Sequence, residues 1–413
     1  MTDLAGELPI DAISFKQLKL FESIGRLNSV RRASDDCNLS QPAVTQSLAK
    51  LEKIIGTPLV KRHASGSYLN AAGEIFHARV ARFSVQFEEA LRQFGVDAEP
   101  RSVAARLLRS QVRALIAIVE AGSFAAAADQ LALSTATLQR GVRDLELNLR
   151  KPLFYRTASG LIALPEAIEL GRRLKLCLQE IEWGVRELRE GESAGPARLV
   201  IGAMPLGGNY LLASVLDQFL SRDPRVEVVI RNESAMEMIR SLRTGDVDFI
   251  VGLIPPHAQA DLESVSLART PFSVVARAGH PLVRAGRVTR ADLAACDWLV
   301  GGPGSRRRAC FERIFADGPQ PRAPIATSAV PVIRQMLLSS DRLTLMTSYE
   351  LRFEGRGLGV VPFGPLDERP MIGVTMRANW LPTRRHALLI DLLRQSVPGL
   401  LNGTDAALDD LAA

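Results

Sequence analysis

The chain contains the stretch LEKIIGTPLVKR at residues 51–62 and, 94 positions later, the related stretch LELNLRKPLFYR at residues 145–156. The correspondence extends without a gap in both directions, so that residues 15–80 align with residues 109–174. A single repeat of this length is typical of a duplicated domain, because solenoids repeat roughly every 20–50 residues and do so more often. The chain therefore holds two copies of one folding unit.

Each copy is predicted to contain three helices. In the first copy Leu18, Phe21 and Ile24 recur at helical spacing, and a short helix follows at residues 30–37. Ser40 precedes a third helix, whose first turn its hydroxyl can cap. The buried face of the third helix is expected to consist of Val44, Leu48, Leu51 and Ile55 in the first copy and of Leu138, Val142, Leu145 and Leu149 in the second.

Two helices joined by a tight turn form the helix-turn-helix unit, whose second helix enters the DNA major groove. Polar side chains on its outer face suit base edges, and basic ones there or on the following hairpin, the wing, suit phosphates. The predicted DNA-binding residues of the first copy are Ser40, Gln41, Pro42, Ala43, Thr45, Gln46, Lys50, Arg62 and His63. Those of the second copy are Ser134, Thr135, Thr137, Gln139, Arg140, Arg143 and Arg156. The net charge of +6 is spread along 413 residues, so these local sets indicate DNA more strongly than the overall charge does.

An apolar stripe with heptad spacing follows each winged helix. The first stripe runs from Phe76 to Phe94, and the second holds the same register from Leu170 to Leu188. These stripes predict two linker helices. We expect the two helices to pair within one chain as a pseudo-dimer. Two alternatives stay open, in which each helix packs on its own winged helix or meets another chain.

The second half of the chain has a different pattern. The small-residue linker GESAGP at residues 191–196 precedes it. Apolar strands then alternate with helical patterns, beginning with a strand at residues 198–203 and a helix at residues 210–221. Such alternation predicts a parallel sheet.

Four stretches of the first copy form a specific pattern: QLKLF at residues 17–21, LSQPAVT at 39–45, the stretch at 51–62 and LNAAGE at 69–74. In this pattern the chain resembles the N-terminal winged helix of LysR-type transcriptional regulators. The second copy departs from it, with STAT at residues 134–137 in place of Ser-Gln-Pro and LPEA at 164–167 in place of a Thr-x-x-Gly turn. Family members ordinarily carry one such head, so the resemblance implies a variant with two.

The second half resembles the effector-binding domain of the same family, which is similar to periplasmic solute-binding proteins. The expected fold is multidomain: two all-α-rich winged helix-turn-helix domains with linker helices, then an α/β two-lobed periplasmic-binding-protein-like effector domain. The implied domains are residues 12–73 and 103–165 for the winged helices, 74–95 and 166–190 for their linker helices, and 197–400 for the effector domain. Lobe I is expected at about 197–269 and 362–396 and lobe II at about 270–361, with crossing strands near 272–276 and 358–361 as the hinge.

Open α/β sheets bind ligands beyond the carboxyl ends of their strands. The loops at those positions offer hydroxyl groups and helix N-termini, which suit a sugar or a small anion. The predicted effector-binding residues are Met204, Pro205, Leu206, Asn232, Gly302, Pro303, Gly304, Ser305, Ser328 and Thr347. For each of them, an ordinary helix cap or turn is an equally good interpretation.

The sequence gives little support to catalysis, metal binding or membrane insertion. Its five histidines show no paired spacing, and its four cysteines lie far apart, so no metal, no cofactor and no enzyme activity are expected. No signal peptide or membrane span is recognisable, which predicts a cytoplasmic protein. The expected partners are double-stranded DNA and a small-molecule effector, in a homo-oligomer or an intrachain pseudo-dimer, with RNA polymerase left open as a further partner.

Two other functions stay open. One is a solute-binding or assembly protein whose winged helices no longer read DNA, and exposed polar residues such as Gln41 and Thr45 argue against it. The other is an enzyme built on the two-lobed fold. That enzyme would need an acid-base pair in the cleft, and no convincing pair is visible.

Overall fold

A computed structural model describes residues 9–63, 66–96, 99–157, 160–189, 197–204, 207–255, 257–364, 366 and 370–401 of the protein. The chain forms two compact units, Met1–Gly195 and Pro196–Ala413. Every helix in the described ranges is too short or too polar to cross a lipid bilayer.

The N-terminal unit contains the same order of elements twice. After a short 3-10 helix at Pro9–Ala12, the first copy forms α1 (Phe15–Leu27), α2 (Val30–Asp36), α3 (Gln41–Ile55), β1 (Val60–His63), β2 (Gly66–Leu69) and α4 (Ala71–Gln93). The short helix α5 (Pro100–Ala104) leads to α6 (Arg109–Ala121), α7 (Phe124–Leu131), α8 (Thr135–Leu149), β3 (Phe154–Thr157), β4 (Gly160–Ala163) and α9 (Pro165–Leu188). We call α1 to β2 the first head and α6 to β4 the second head.

Short polar interactions fix where the helices of each head begin. The Ser40 hydroxyl accepts from the Ala43 N–H at 3.4 Å and Ser134 does the same for Thr137 at 3.1 Å, which starts α3 and α8 at the predicted places. Asn70 caps α4 by accepting from the Gly73 N–H at 2.8 Å. The linker helix α4 therefore begins at Ala71, three residues before the expected start at residue 74.

One carboxylate in each head joins the third helix to the wing. Glu52 Oε1 accepts from the N–H groups of Leu59 and Val60 at 2.7 and 3.2 Å. Glu146 makes the equivalent bonds to Leu153 and Phe154 at the same two distances. A charged acceptor that satisfies two main-chain donors fixes the chain direction after the helix.

Replacing Glu52 by alanine is expected to lower the free energy of unfolding of the first head by about 2–3 kcal/mol, because two main-chain donors lose a charged partner. Denaturant-dependent hydrogen exchange of the α3 and β1 peptides measures this change. Lys53→Ala, at an exposed position on the same helix, is the control and is expected to change the value by less than about 0.5 kcal/mol. Equal effects of the two substitutions would contradict the assignment.

The described residues of the C-terminal unit form three sheets: a five-stranded sheet, whose surroundings we call the first lobe, and a three-stranded sheet with a separate strand pair, whose surroundings we call the second lobe. The elements of this unit are β5 (Ala197–Ala203), α10 (Gly207–Arg222), β6 (Val226–Arg231), α11 (Ala235–Thr244), β7 (Phe249–Leu253), β8 (Leu262–Arg269), β9 (Phe272–Arg277), α12 (Arg290–Ala294), β10 (Leu299–Val300), α13 (Arg306–Ile314), β11 (Ile325–Ala326), α14 (Val330–Leu338), β12 (Thr344–Thr347), α15 (Ser348–Glu354), β13 (Leu358–Val360), β14 (Met371–Arg377) and α16 (Arg384–Leu401), with a 3-10 helix at Pro281–Val283.

The first lobe contains a five-stranded sheet in the order β6-β5-β7-β14-β8. Strand β5 is parallel to β6 and β7, whereas β14 is antiparallel to β7 and β8. The expected parallel sheet is therefore a mixed sheet. The chain leaves this lobe after β8 and returns from the other lobe as β14, so the returning strand runs in the opposite direction to its neighbours.

The second lobe contains the antiparallel sheet β12-β9-β13 and the parallel pair β10-β11. Strands β9 and β13, expected as the hinge, lie side by side inside this sheet. The Thr270 N–H, just before β9, donates to the carbonyl of Pro370, just before β14, at 2.9 Å. The expected hinge strands are therefore corrected to parts of the second lobe: β9 lies between β12 and β13, and the Val361 N–H donates to the Val274 carbonyl at 2.9 Å.

Candidate functional site

The third helix of the first head has one buried and one polar face. Val44, Leu48, Leu51 and Ile55 are buried, as the spacing predicts. On the other face the predicted residues Ser40, Gln41, Pro42, Gln46 and Lys50 are exposed, and Ala43 and Thr45 are half-buried. The apolar face fixes α3 on the core and leaves amide, hydroxyl and ammonium groups pointing to solvent, where they can meet base edges and phosphates.

The third helix of the second head is arranged in the same way with different side chains. Ser134, Thr135, Thr137, Arg140 and Arg143 are exposed, and Gln139 is half-buried. The Ser134 and Thr137 hydroxyls lie 2.8 Å apart and bond to each other. That bond engages two of the three exposed hydroxyls at the start of α8, and the two arginines add charged donors further along the helix.

Each wing is a two-stranded antiparallel hairpin. Arg62 pairs with Ser67 in the first wing and Arg156 with Leu161 in the second, and the side chains of both arginines lie outside the described residues. His63 is exposed, and its ring centre lies 5.9 Å from that of Tyr68. The first wing thus carries an aromatic pair of side chains.

The linker helices α4 and α9 pack against each other within the chain. Arg79 is 1% exposed and bonds Glu180 at 3.0 Å and Glu187 at 2.9 Å, while Arg82 bonds Glu180 at 3.1 Å. Arg82 lies further along α4 than Arg79 but pairs with the earlier of the two glutamates, so the two helices run antiparallel. The expected pairing within the chain is present, and the first stripe also packs on its own head, since the rings of Phe83 and Phe87 lie 5.5 and 5.1 Å from that of Phe15.

Three further hydrogen bonds connect the ends of the linker helices to the other head. Arg189, directly after α9, donates to the main-chain carbonyls of Ile54 and Ile55 at 2.8 and 3.1 Å, at the end of α3. Lys151 of the second head donates to the Phe94 carbonyl at 3.2 Å, at the end of α4. The placement of one head relative to the other is therefore set by direct contacts in the N-terminal unit.

Residues of both lobes of the C-terminal unit line a cavity of about 470 Å³. Six of the predicted effector-binding residues lie on its wall: Met204, Gly302, Pro303, Gly304, Ser305 and Ser328. Pro205 and Leu206 lie outside the described residues. The loop after β10 contributes most of the predicted set, and Gly304, at φ +73°, adopts a left-handed conformation that favours glycine.

Asn232 and Thr347 do not line the cavity, which corrects their placement at the site. The Asn232 amide donates to Asn209 Oδ1 at 2.9 Å. Thr347 is 1% exposed, and its hydroxyl accepts from the Glu350 N–H at 3.2 Å as the cap of α15. Asn232 directly follows β6 and Thr347 is the last residue of β12, so the side chain that faces the cavity depends on where the next helix begins.

The cavity also contains residues that the sequence did not single out. Ser234 caps α11 and Ser305 caps α13, so the N-termini of two helices open at the wall. Arg307 and Glu350 form a buried ion pair at 2.8 Å, and Arg307 Nε has no hydrogen-bond partner among the described residues. The helix N-termini favour negative charge, while apolar residues such as Ile250 and Leu253 would surround the body of a ligand.

The cysteines do not form a reactive site. All four, Cys37, Cys177, Cys296 and Cys310, are free. Burial raises the pKa of Cys37, Cys177 and Cys296 above the ordinary value of a thiol, which disfavours the reactive thiolate. Within the described ranges, no group of three or more histidine, cysteine, aspartate and glutamate side chains is arranged to hold a metal ion.

Comparison with known families gives matches to both units. The family described as "Bacterial regulatory helix-turn-helix protein, lysR family" matches residues 15–74 and again residues 110–167. The "LysR substrate binding domain" matches residues 193–398. These ranges coincide with the two heads, including the first turns of α4 and α9, and with the C-terminal unit.

Two curated relatives are named as transcriptional regulators. The chain is 27% identical over 402 residues to the HTH-type transcriptional regulator GalR of Pseudomonas putida, and the match covers 94% of this chain and 99% of that protein. It is 28% identical over 239 residues to the HTH-type transcriptional regulator GbpR of Rhizobium radiobacter, covering 57% of this chain and 79% of that protein.

Among solved structures, a full-length OxyR variant from Pseudomonas aeruginosa is similar in fold. The TM-score is 0.51 at 23% sequence identity, and the match covers 70% of this chain and 93% of that chain. At this identity the likeness concerns the fold alone.

Proposed function

Since the chain belongs to the LysR family of transcriptional regulators, we propose that it reads DNA with both of its heads and responds to a small sugar or a small anion bound in the cavity of its C-terminal unit. Proteins of this family are regulators with a ligand-binding domain and are not enzymes. We also place its action in the cytoplasm, where a bacterial regulator meets the chromosome.

The observation that carries the proposal is the exposed polar face of α3. Gln41 and Gln46 can each present a donor and an acceptor to an adenine edge, and Lys50 can reach a phosphate. These side chains contribute nothing to the core, since the buried face of α3 consists of other residues. An assembly domain without DNA contacts would not need amide groups on this face.

The second head is proposed to read a different sequence. Its outward residues Arg140 and Arg143 stand where the first head has Gln46 and Ala49, and arginine favours guanine and phosphate over adenine. Two heads with unlike side chains predict two unlike half-sites. The fixed contacts between the heads predict one constant spacing between those half-sites.

The effector proposal follows from the size and chemistry of the cavity. A volume of about 470 Å³ is in the range of small-molecule sites. The N-termini of α11 and α13 suit a small anion, and the hydroxyls of Ser234, Thr327 and Ser328 suit a sugar. If the protein has one state with higher and one with lower affinity for DNA, the ligand shifts the balance between them. The shift is no larger than the ratio of the ligand's affinities for the two states.

Selection of bound duplexes from a random DNA pool tests the DNA-binding proposal. The wild-type chain is expected to enrich two dissimilar half-sites at fixed spacing. The variant Gln46→Ala with Lys50→Ala should lose one half-site, and the matched variant Arg140→Ala with Arg143→Ala should lose the other. A palindrome would mean that the first head alone reads bases through paired chains, and the absence of enrichment would favour a solute-binding protein.

Replacing Gly302 by valine is expected to abolish ligand binding without unfolding the C-terminal unit. Gly302 lines the cavity, and a Cβ atom added to it would meet no atom within 4 Å. The added side chain therefore fills ligand space and not packed core. A library of sugars and small acids is screened by the shift in melting temperature of the wild-type chain.

The control for this variant is Gly286→Val, an exposed position away from the cavity where an added Cβ also meets no atom within 4 Å. A ligand that stabilises the wild-type chain should stabilise Gly286→Val equally and Gly302→Val not at all. Equal stabilisation of both variants would place the ligand elsewhere.

A further inference from the structure

The antiparallel pairing of α4 and α9 has a definite register. An added Cβ at Gly184 would lie 2.9 Å from Phe76 Cδ2, so these two residues face each other. Together with the bonds of Arg79 and Arg82 to Glu180, this register places Phe83 opposite Cys177. Phe83 and Cys177 are counterparts in the 94-residue repeat, so the local two-fold axis that relates α4 to α9 passes near this pair.

The side chains of α4 and α9 that face each other in this register are complementary in size. The repeat makes Ala90 the counterpart of Gly184. If α4 paired with α4 of a second copy, Phe76 would face Ala90, whose Cβ would occupy the space that lies 2.9 Å from the Phe76 ring and 3.1 Å from Arg79 Cβ. The same pairing would place Phe83 against Phe83. Large side chains on α4 thus fit small ones on α9 and not those of α4 itself.

The charged side chains also fit a pair of α4 with α9 better than a pair of two α4 helices. The counterparts of Glu180 and Glu187 on α4 are Gln86 and Gln93. In a pair of two α4 helices Arg79, which is 1% exposed, would face these amides and would be buried without a carboxylate. An uncompensated buried cation is strongly unfavourable, whereas surface pairs contribute little.

The hydrogen bonds at the two ends of the helix pair also require one α4 and one α9. Arg189, which bonds the end of α3, has Gly95 as its counterpart after α4. Lys151, which bonds the Phe94 carbonyl, has Thr57 as its counterpart in the first head. Neither bond could form in a symmetric pair of two first heads.

We propose that α4 selects α9 of its own chain and disfavours α4 of a second copy, so that a single chain is the complete DNA-reading unit. The first linker helix is by this account a docking surface for one occupant, the second linker helix of the same chain. Contacts between chains then occur elsewhere, and each chain always presents one head of each kind. The pairing of α4 with α9 does not depend on DNA binding by either head, whereas the role of the single chain as the DNA-reading unit rests on the proposed function.

Distance measurements between spin labels on the full-length chain test the proposal. Val85 on α4 and Ile168 on α9 are 69% and 48% exposed, so cysteine at these positions disturbs little packing. Cys37 and Cys296 are replaced by alanine, while Cys177 and Cys310 are buried. One variant carries labels at positions 85 and 168. A second variant carries the label at position 85 alone, because this position would lie next to the two-fold axis of any α4–α4 pair.

The doubly labelled chain is expected to give one short, narrow distance that persists when it is diluted with a large excess of unlabelled chain under subunit exchange. The singly labelled chain should give no short distance. A short distance in the singly labelled chain would mean that two α4 helices pair and would overturn the proposal. Loss of the short distance on dilution would overturn it too, because α9 would then come from another copy.

A graft variant tests the cause of the selection. Gly184→Ala combined with Glu180→Gln and Glu187→Gln gives α9 the residues that α4 carries at the equivalent positions. The narrow distance should be lost or broadened in this variant and kept in Glu166→Gln, which changes an exposed carboxylate on the same helix. An unchanged narrow distance in the graft variant would show that size and charge do not select the partner.

Discussion

Replacing Glu180 by alanine is expected to lower the free energy of unfolding of the α4–α9 pair by about 3–5 kcal/mol. Glu180 is buried and accepts from Arg79 and Arg82, so its loss leaves the fully buried Arg79 with one carboxylate fewer and also creates a cavity. The effect is large because the arginine cannot regain water. It cannot turn to solvent without breaking its second bond, to Glu187.

Hydrogen exchange of the α4 and α9 peptides across a denaturant series measures this change. Glu166→Ala, at an exposed position of α9, is the control and should alter the value by less than about 1 kcal/mol. Glu180→Gln preserves the shape but not the charge, and its effect should approach that of alanine if charge dominates. A change in Glu180→Ala no larger than in the control would refute the importance of the buried cluster.

Replacing Glu350 by alanine is expected to lower the stability of the second lobe by about 3–5 kcal/mol. Glu350 is 1% exposed, its Oε1 accepts from Arg307 at 2.8 Å, and its Oε2 accepts from the Thr347 N–H at 2.8 Å. The substitution therefore removes both the partner of a buried arginine and half of a capping box.

The matched control is Glu312→Ala, which removes the partner of Arg308 on the surface of α13, where the side chain of Glu312 is 57% exposed. Its expected effect is below about 1 kcal/mol. Hydrogen exchange of the α13 and α15 peptides compares the two variants. Because Arg307 and Glu350 also line the cavity, Glu350→Ala should weaken ligand-dependent protection of the same peptides, which the control should leave intact.

Much of the N-terminal unit could be predicted from the chain alone because its information is local. Helical spacing places Val44, Leu48, Leu51 and Ile55 on one buried face, and a serine before each third helix marks its start. Because the domain is duplicated, each of these local patterns occurs twice in the chain. The exposed side chains of α3 and α8 follow directly, since a helix with one buried face must expose the other.

The cavity was predictable only in part. The alternation of strands and helices in the sequence predicts which loops follow strand ends, and six of the ten predicted effector-binding residues line the wall. The sequence predicts Asn232 at the wall, but Ser234 lies there and Asn232 bonds Asn209 instead. A shift of two residues before a helix changes the direction in which the side chain points. The antiparallel strand β14 could not be foreseen either, because its direction follows from the return of the chain between lobes.

The sequence by itself determined the duplication, the helical faces, the caps and the family of the chain, because each depends on residues close to one another or on their repetition. Only the tertiary structure decided which distant charges meet. Arg79 and Glu180 are 101 residues apart, and Arg307 and Glu350 are 43 apart, so no local pattern connects them. Their pairing depends on how helices pack, and burial, which depends on the whole fold, makes the loss of either partner costly.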